Sequence, residues 1–253
     1  KLVPESRQLL KQNLALILEQ KQDRQSEYKI ILSDGKFRYI DTYSASVIDN
    51  KSELIGVFGT IIDITKRKEA ELALEKLRQK EHLLGIILNR IHQSLNLEEI
   101  LEIIVDSVRD LLECDRVMIY RFLSEMDGIV EKESVGVDCS PILGQIITDP
   151  CFPNQDIIER FKQGYISIID DVESPKVKEC HRDLLRKFQV KANMVLPILT
   201  NKQETEEQVS EITLWGLLIA HNCRQKREWQ ISEINLLNPL ATQTGIAIHP
   251  VSY

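Results

Sequence analysis

The sequence predicts an α+β protein in two units, a small strand-and-helix unit followed by a larger one built on a central antiparallel sheet flanked by helices. Three observations predict it. Two alternating runs meet at Ser33-Asp34-Gly35, an Asp-Gly hairpin signal. A proline-free stretch with helical periodicity runs from Thr65 to Leu95 and reads as one long helix. Beyond it, strands are interspersed with short helices and polar hairpins, the pattern of an α+β domain. At 253 residues the chain suits two units better than one.

Taken in order, residues 5–20 (ESRQLLKQNLALILEQ) carry apolar residues at helical spacing. EYKIILSDGKFRYIDTYSASV supplies the hairpin, and ELIGVFGTIIDIT after Asn50 supplies a third strand. One helix and about three strands are too little sheet to close a core, so residues 1–64 read as the C-terminal part of a truncated domain. In the long helix, 65–95, Ala70, Leu77, Leu84 and Ile91 fall seven apart. So do Leu74, Leu88 and Leu95, with Glu81 interrupting. That spacing fits coiled-coil a and d positions and predicts a homodimer through this helix; the alternative is a helix packed on its own domain. Asn96 then caps a helix through LEEILEIIVDSVRDLLE, with Glu99 at the capping-box position. Strands are expected near DRVMIYRFL, GIVEKESVGV, YISIID, KANMVLPIL and ITLWGLLIAHNC, and helices near NQDIIERFKQ, VKECHRDLLRKF and WQISEINLLNPLATQTGIAI. The charged run TNKQETEEQVSE reads as a solvated loop tip.

A formal charge of −7 without a long basic run argues against nucleic-acid binding. No apolar stretch reaches the roughly 18 residues needed to span a membrane. No signal peptide is recognisable, the N-terminus reading as an interior fragment. Five cysteines, odd in number and without a C-x-x-C pair, argue against a disulfide framework and for a reducing cytoplasm. Cys114 and Cys223 read as small apolar fillers, and Cys139 as a loop residue without a role.

The chemistry-bearing residues fall in a few groups. In Asp149-Pro-Cys-Phe-Pro153 two prolines hold Asp149 and Phe152 extended and present the Cys151 thiol. Cys180-His181 lies near a helix start, where the dipole and the imidazole favour thiolate. Trp215, His221 and Cys223 share one parity on their strand, which predicts a common face. Cys180, His181, His221 and Cys223 suffice arithmetically for a metal, but neighbouring helical positions point about 100° apart. A cysteine hydrolase would need an oxyanion hole and an oriented dyad, and no motif for either can be argued.

GVFGTIIDITKRKEAE resembles the C-terminal half of a PAS domain and its exit helix. From about Glu81 to Ile248, the stretches CDRVMIYRF, DPCF, ECHRDLL, KANMVLPIL and LWGLLIAHNC resemble the bilin-binding GAF domain of cyanobacteriochromes, relatives of phytochromes. DPCF is similar to the Asp-X-Cys-Phe signature of the two-cysteine subfamily. The resemblance thus implies a truncated PAS domain (1–64), a connecting signalling helix (65–95) and a GAF domain (96–253).

It also implies roles. Cys180 would hold a linear tetrapyrrole by a permanent thioether on ring A, and Cys151 would add reversibly at C10. Asp149 would accept from pyrrole N–H groups, His181 would pack beside the bilin, and His221 would sit near ring D. Phe152 belongs to the signature, and Trp215 would be core or pocket wall. Tyr165 stands where the family often has an arginine on a bilin propionate, leaving Arg116, Arg160 and Lys162 as unranked candidates. The cofactor implied is phycocyanobilin or its isomer phycoviolobilin, in a non-enzymatic cytoplasmic photosensor with two light-absorbing states. Its output domain, a histidine kinase, diguanylate cyclase or chemotaxis domain, would lie outside this chain. The alternatives are a cyclic-nucleotide-type PAS-GAF sensor without chromophore and a metal or thiol-redox sensor.

Overall fold

A computed structural model describes residues 1–94, 96–124, 127–149, 155–202 and 211–248. The chain divides into two compact units, Lys1–Gln79 and Lys80–Tyr253. In the first, α1 (Pro4–Gln20) precedes β1 (Arg24–Ile31), β2 (Phe37–Ile48) and β3 (Leu54–Asp63), an antiparallel sheet of order β1-β2-β3. The predicted hairpin forms: Gly35 has φ +81°, and the Leu32 N–H donates to the Lys36 carbonyl at 2.8 Å. Ile17 of α1 is buried with Tyr28 and Ala45, while Ile55, Phe58, Ile61 and Ile62 of β3 are exposed.

The helix α2 (Thr65–Gln93) contains the unit boundary. Its Ala70 and Leu74 are exposed, whereas Ile87 and Ile91 are buried in the larger unit, with Leu84 and Leu88 packed against them. Positions 84, 87, 88 and 91 form a stripe at i, i+3, i+4 and i+7, the period of a helix lying on a core. From Leu84 onward the helix therefore packs on its own domain, and Leu95 lies outside the described residues.

The larger unit continues with α3 (Leu97–Leu112), β4 (Arg116–Phe122), β5 (Asp127–Val135), β6 (Ile146–Thr148), α4 (Gln155–Lys162), β7 (Ser167–Ile169), α5 (Glu179–Lys187), β8 (Ala192–Lys202), β9 (Glu211–Asn222) and α6 (Ile231–Ile248). Its six strands form one antiparallel sheet of order β6-β5-β4-β9-β8-β7, the α+β architecture expected. Asn96 caps α3 as predicted, its Oδ1 accepting the Glu98 N–H at 2.9 Å. Glu99 does not close the capping box: its Oε2 accepts from Ser94 Oγ at 2.7 Å, and the Asn96 N–H donates to that same Ser94 Oγ at 3.2 Å.

Strand alternation sorts the sheet into two faces. Val117, Ile119, Leu218 and Ala220 point into the core under α3 and α6. Met118, Tyr120, Leu217 and Ile219 point the other way, toward Phe161 of α4 and Leu184 of α5. One prediction fails here. Gly216 pairs with Ile198, but Leu199 pairs with Leu214, so Trp215 is an inserted residue. A bulge breaks the two-residue period, and Trp215 packs on the α3/α6 core, away from the face of His221.

The cysteine expectation fails as well. Cys139 and Cys223 form a disulfide (S–S 2.02 Å) across 84 residues of sequence, tying the loop after β5 to the end of β9. Spacing rules miss it because antiparallel pairing of distant strands, not sequence proximity, brings the two together. Cys114 alone fits its reading: it is buried, with a thiol pushed up to about 12 by desolvation.

Candidate functional site

On the face opposite α3 and α6 the sheet floors a cavity of ≈ 680 Å³. Its apolar walls are Met118 and Tyr120 of β4, Phe161 of α4, and Leu217 and Ile219 of β9. Tyr120 is fixed by its hydroxyl, which donates to the Ile147 carbonyl at 2.8 Å, and by an edge-on contact with Phe122 at 5.3 Å. Its phenol is pushed up to about 12 by burial, then by Asp149 and Asp127. The ring needs Gly128 opposite, where a Cβ would lie 2.3 Å from Tyr120 Cζ.

Four of the predicted site residues line this cavity: Asp149, Tyr165, His181 and His221. Asp149 follows β6 directly, and its Oδ2 lies 2.8 Å from His181 Nδ1 on α5. The carboxylate therefore orients that imidazole. His221, at the end of β9, is buried. Burial first, then Arg116 and His181, drop its pKa to about 3, so it is neutral at pH 7. Arg116 Nη1 is 3.3 Å from His221 Nδ1. A guanidinium only donates, so Nδ1 accepts and Nε2 carries the proton.

Arg116 was one of three candidate partners for an acidic ligand, but it is fully buried and committed. Its Nε lies 3.1 Å from Glu133 Oε1, and its Nη2 donates to the Ser140 carbonyl at 2.6 Å. Glu133 Oε2 in turn accepts the Ile142 and Leu143 N–H groups, each at 2.8 Å. Together with the Cys139–Cys223 bond this organises the loop behind His221. The sequence reading missed both Tyr120 and the Arg116–Glu133 pair. The alternation in RVMIYRF carries a signal for the first, since Met118 and Tyr120 must share a face.

Cys180 is exposed in the first turn of α5, beside His181, and its sulfur is disulfide-bonded. Cys223 is taken up by Cys139, so the four-residue metal set does not assemble. Cys151 and Phe152 lie outside the described residues. Among the described residues no helix is long and apolar enough to cross a membrane.

The family model for the GAF domain matches residues 96–248, which contain the whole six-stranded sheet and the cavity. The chain belongs to the GAF domain family. Its GAF domain is similar to the blue-light-absorbing form of the Thermosynechococcus elongatus PixJ GAF domain, at 35% identity and a TM-score of 0.52, covering 60% of this chain and 84% of that one. It is likewise similar to the phycocyanobilin-bound GAF domain of a cyanobacterial phytochrome, at 29% identity and a TM-score of 0.53, covering 67% and 93%. The circadian input-output histidine kinase CikA of Thermosynechococcus vestitus is 30% identical over 186 residues, or 70% of this chain. The chain spans 24% of that kinase.

Proposed function

We propose that the GAF domain is a photosensory module that holds a linear tetrapyrrole covalently and switches reversibly between two light-absorbing states. One observation carries the reading. Asp149, Tyr165, His181 and His221 come from separate segments of the chain, yet all line the one ≈ 680 Å³ cavity. That volume lies within the range of ligand sites, and apolar walls suit a conjugated ring system. The similarity to a phycocyanobilin-bound GAF domain supports the same chemistry.

Bound phycocyanobilin, or its isomer phycoviolobilin, would supply light absorption and isomerisation about the bond to ring D. The chain's residues do the rest. Cys180 is the attachment nucleophile, acting from its reduced thiol, and addition of sulfur to a carbon–carbon double bond needs no oxidant. Asp149 accepts from pyrrole N–H groups while it holds His181; a carboxylate offers about four lone-pair sites, so one imidazole does not exhaust it. His221, neutral and protonated on Nε2, can donate near ring D without introducing a charge. Cys151, in the Asp-X-Cys-Phe signature, supplies a second, reversible thioether at C10 in the short-wavelength state. Residues 1–64 act as a partial PAS domain. The exposed Ala70 and Leu74 of α2, four apart and on the predicted a and d positions, support pairing of that helix with a second copy, and the output domain lies outside this chain.

Co-expression with a phycocyanobilin pathway tests the reading. A coloured, photoconvertible protein with zinc-enhanced fluorescence on a denaturing gel is the expected result, and a colourless protein overturns it. Cys180→Ala should abolish covalent attachment. Cys151→Ala should keep the pigment and lose the short-wavelength state.

A further inference from the structure

The bulge between β8 and β9 touches both faces of the sheet. Leu199 and Leu214 pair beside the inserted Trp215 and pack with the cavity-side cluster that contains Tyr120, Phe161 and Leu217. Trp215 itself packs on the opposite side, against the core under α3 and α6. Leu199 reaches that opposite side as well, through its backbone. A Cβ on Gly245 of α6 would lie 2.0 Å from the Leu199 carbonyl oxygen and 3.1 Å from its carbon. Helix and strand therefore meet backbone to backbone, at an approach that only glycine permits. On the other flank of the bulge, a Cβ on Gly216 would lie 2.4 Å from the carbonyl oxygen of Tyr120, whose ring walls the cavity.

Close-packed interiors transmit displacement because no void absorbs it. The Tyr120 ring is held at its far end by the Ile147 carbonyl and backed by Gly128, so a load on it passes to its backbone, against Gly216. The helix on the receiving side is built to yield. Pro239, inside α6, lacks the N–H that would bond the Asn235 carbonyl, which opens the helical ladder shortly before Gly245. Thr242 and Thr244 turn their hydroxyls back on the carbonyls of Asn238 and Leu240, at 3.0 and 2.7 Å, a pattern that bends helices. Residues 240–248 can therefore tilt about Pro239 while the first turns of α6 stay in place.

We propose that the β8–β9 bulge at Leu199 and Trp215 couples the cavity to α6. A change in the cavity wall shifts the bulge, and the Leu199 carbonyl, bearing on Gly245, tilts residues 240–248 about Pro239. Leu199 is the residue that joins the two sides, with its side chain in the cavity-side cluster and its carbonyl on the helix. Light as the trigger rests on the tetrapyrrole reading, whereas the coupling belongs to the fold and holds for any ligand that moves the wall.

Amide hydrogen exchange, resolved by peptide, reads both ends of the contact. In the apoprotein, Leu199→Ala removes the cavity-side arm and alters no side chain of α6. It should speed exchange of the 240–248 amides about fivefold, the lower end of ordinary coupling between sites. Gly245→Ala works from the other end: its Cβ pushes the Leu199 carbonyl away, and exchange should quicken by a similar factor in α4, whose Ile157 and Ile158 pack on the same cluster as Leu199. The amides of β5 are the control and should stay within about twofold of wild type in both variants, well under the coupling itself. Phycocyanobilin-loaded wild-type protein should show a light-minus-dark difference in 240–248, and Gly245→Ala should lose most of it while keeping both absorption spectra. Unchanged exchange of 240–248 in Leu199→Ala, or a rise that β5 matches, overturns the coupling. A light-driven difference that survives Gly245→Ala overturns it too and leaves the tetrapyrrole reading standing. Failure of the wild-type protein to take up the pigment overturns that reading alone, and the apoprotein variants still decide the coupling.

Discussion

Replacing Arg116 by methionine tests how the floor of the cavity is held. Arg116 is fully buried and meets Glu133 at 3.1 Å, the Ser140 carbonyl at 2.6 Å and His221 Nδ1 at 3.3 Å. Methionine fills much of the volume but leaves Glu133 as a buried charge without its cation. Breaking a buried pair from one side costs about 3–5 kcal/mol. For a unit of this size that corresponds to roughly 6–20 °C in Tm. Adding Glu133→Gln removes the stranded charge, so the double variant should recover about 2 kcal/mol or more over Arg116→Met alone. Urea unfolding of the four proteins, analysed as a double-mutant cycle, gives the coupling. Single effects that simply add, within about 0.5 kcal/mol, would refute the claim that the two charges depend on each other. A second readout is His221: Arg116→Met removes one of the charges that hold its pKa down, so the pKa should rise from about 3. It should stay below its ordinary value of 6.5, because burial, the larger cause, remains.

Three further outcomes are expected. His221 titrates near 6.5 when unfolded and near 3 when folded, so the unfolded state binds the extra proton. Stability should be full above 6.5 and fall by about 1.4 kcal/mol per pH unit down to about 3, a slope that His221→Gln removes in a Tm-versus-pH series. Cys139→Ser should lower stability by about 2–4 kcal/mol in denaturant titration under oxidising conditions, since the bond closes a loop of 84 residues, and should have no such effect in excess reductant. Gly128→Ala should cost about 1–3 kcal/mol, because its Cβ would lie 2.3 Å from the Tyr120 ring, and Gly128→Ala/Tyr120→Leu should recover most of that loss.

What was legible in the sequence was whatever depends on local period. The Asp34-Gly35 hairpin, the Asn96 cap and the strand-and-helix order of the larger unit follow from turn chemistry, capping and alternation, each set within a few residues. What was not legible depends on pairing between distant segments. The bulge at Trp215 exists only as a mismatch of register between β8 and β9, so parity counted along one strand put Trp215 on the wrong face. The Cys139–Cys223 bond and the Arg116–Glu133 pair likewise need the completed sheet. The heptads of α2 from Leu84 onward were ambiguous for a different reason. A repeat of seven and a repeat of 3.6 differ by only about 20° per heptad, so two turns cannot tell a partner helix from the helix's own core. Burial of Ile87 and Ile91 decides for the core in that part of α2.

The placement of charge around the cavity bears on the choice between the two ligand classes that the sequence left open. A cyclic nucleotide presents an anionic phosphate and few donors. A linear tetrapyrrole presents N–H donors at the centre of its body and carboxylates on flexible arms. Here Asp149, with a side chain only 14% exposed, puts an acceptor into the cavity wall, and His221 is kept neutral at its floor. The cations Arg160, Lys176 and Lys178 stand in exposed positions among the lining residues, with Asp170 held by the Trp229 N–H and Asp171 by the Glu173 N–H and Lys226. An anion driven toward Asp149 would meet repulsion in a partly desolvated site, where charge interactions are strongest. Central donors meet the acceptor Asp149, and peripheral acids find exposed cations within reach, which favours the tetrapyrrole.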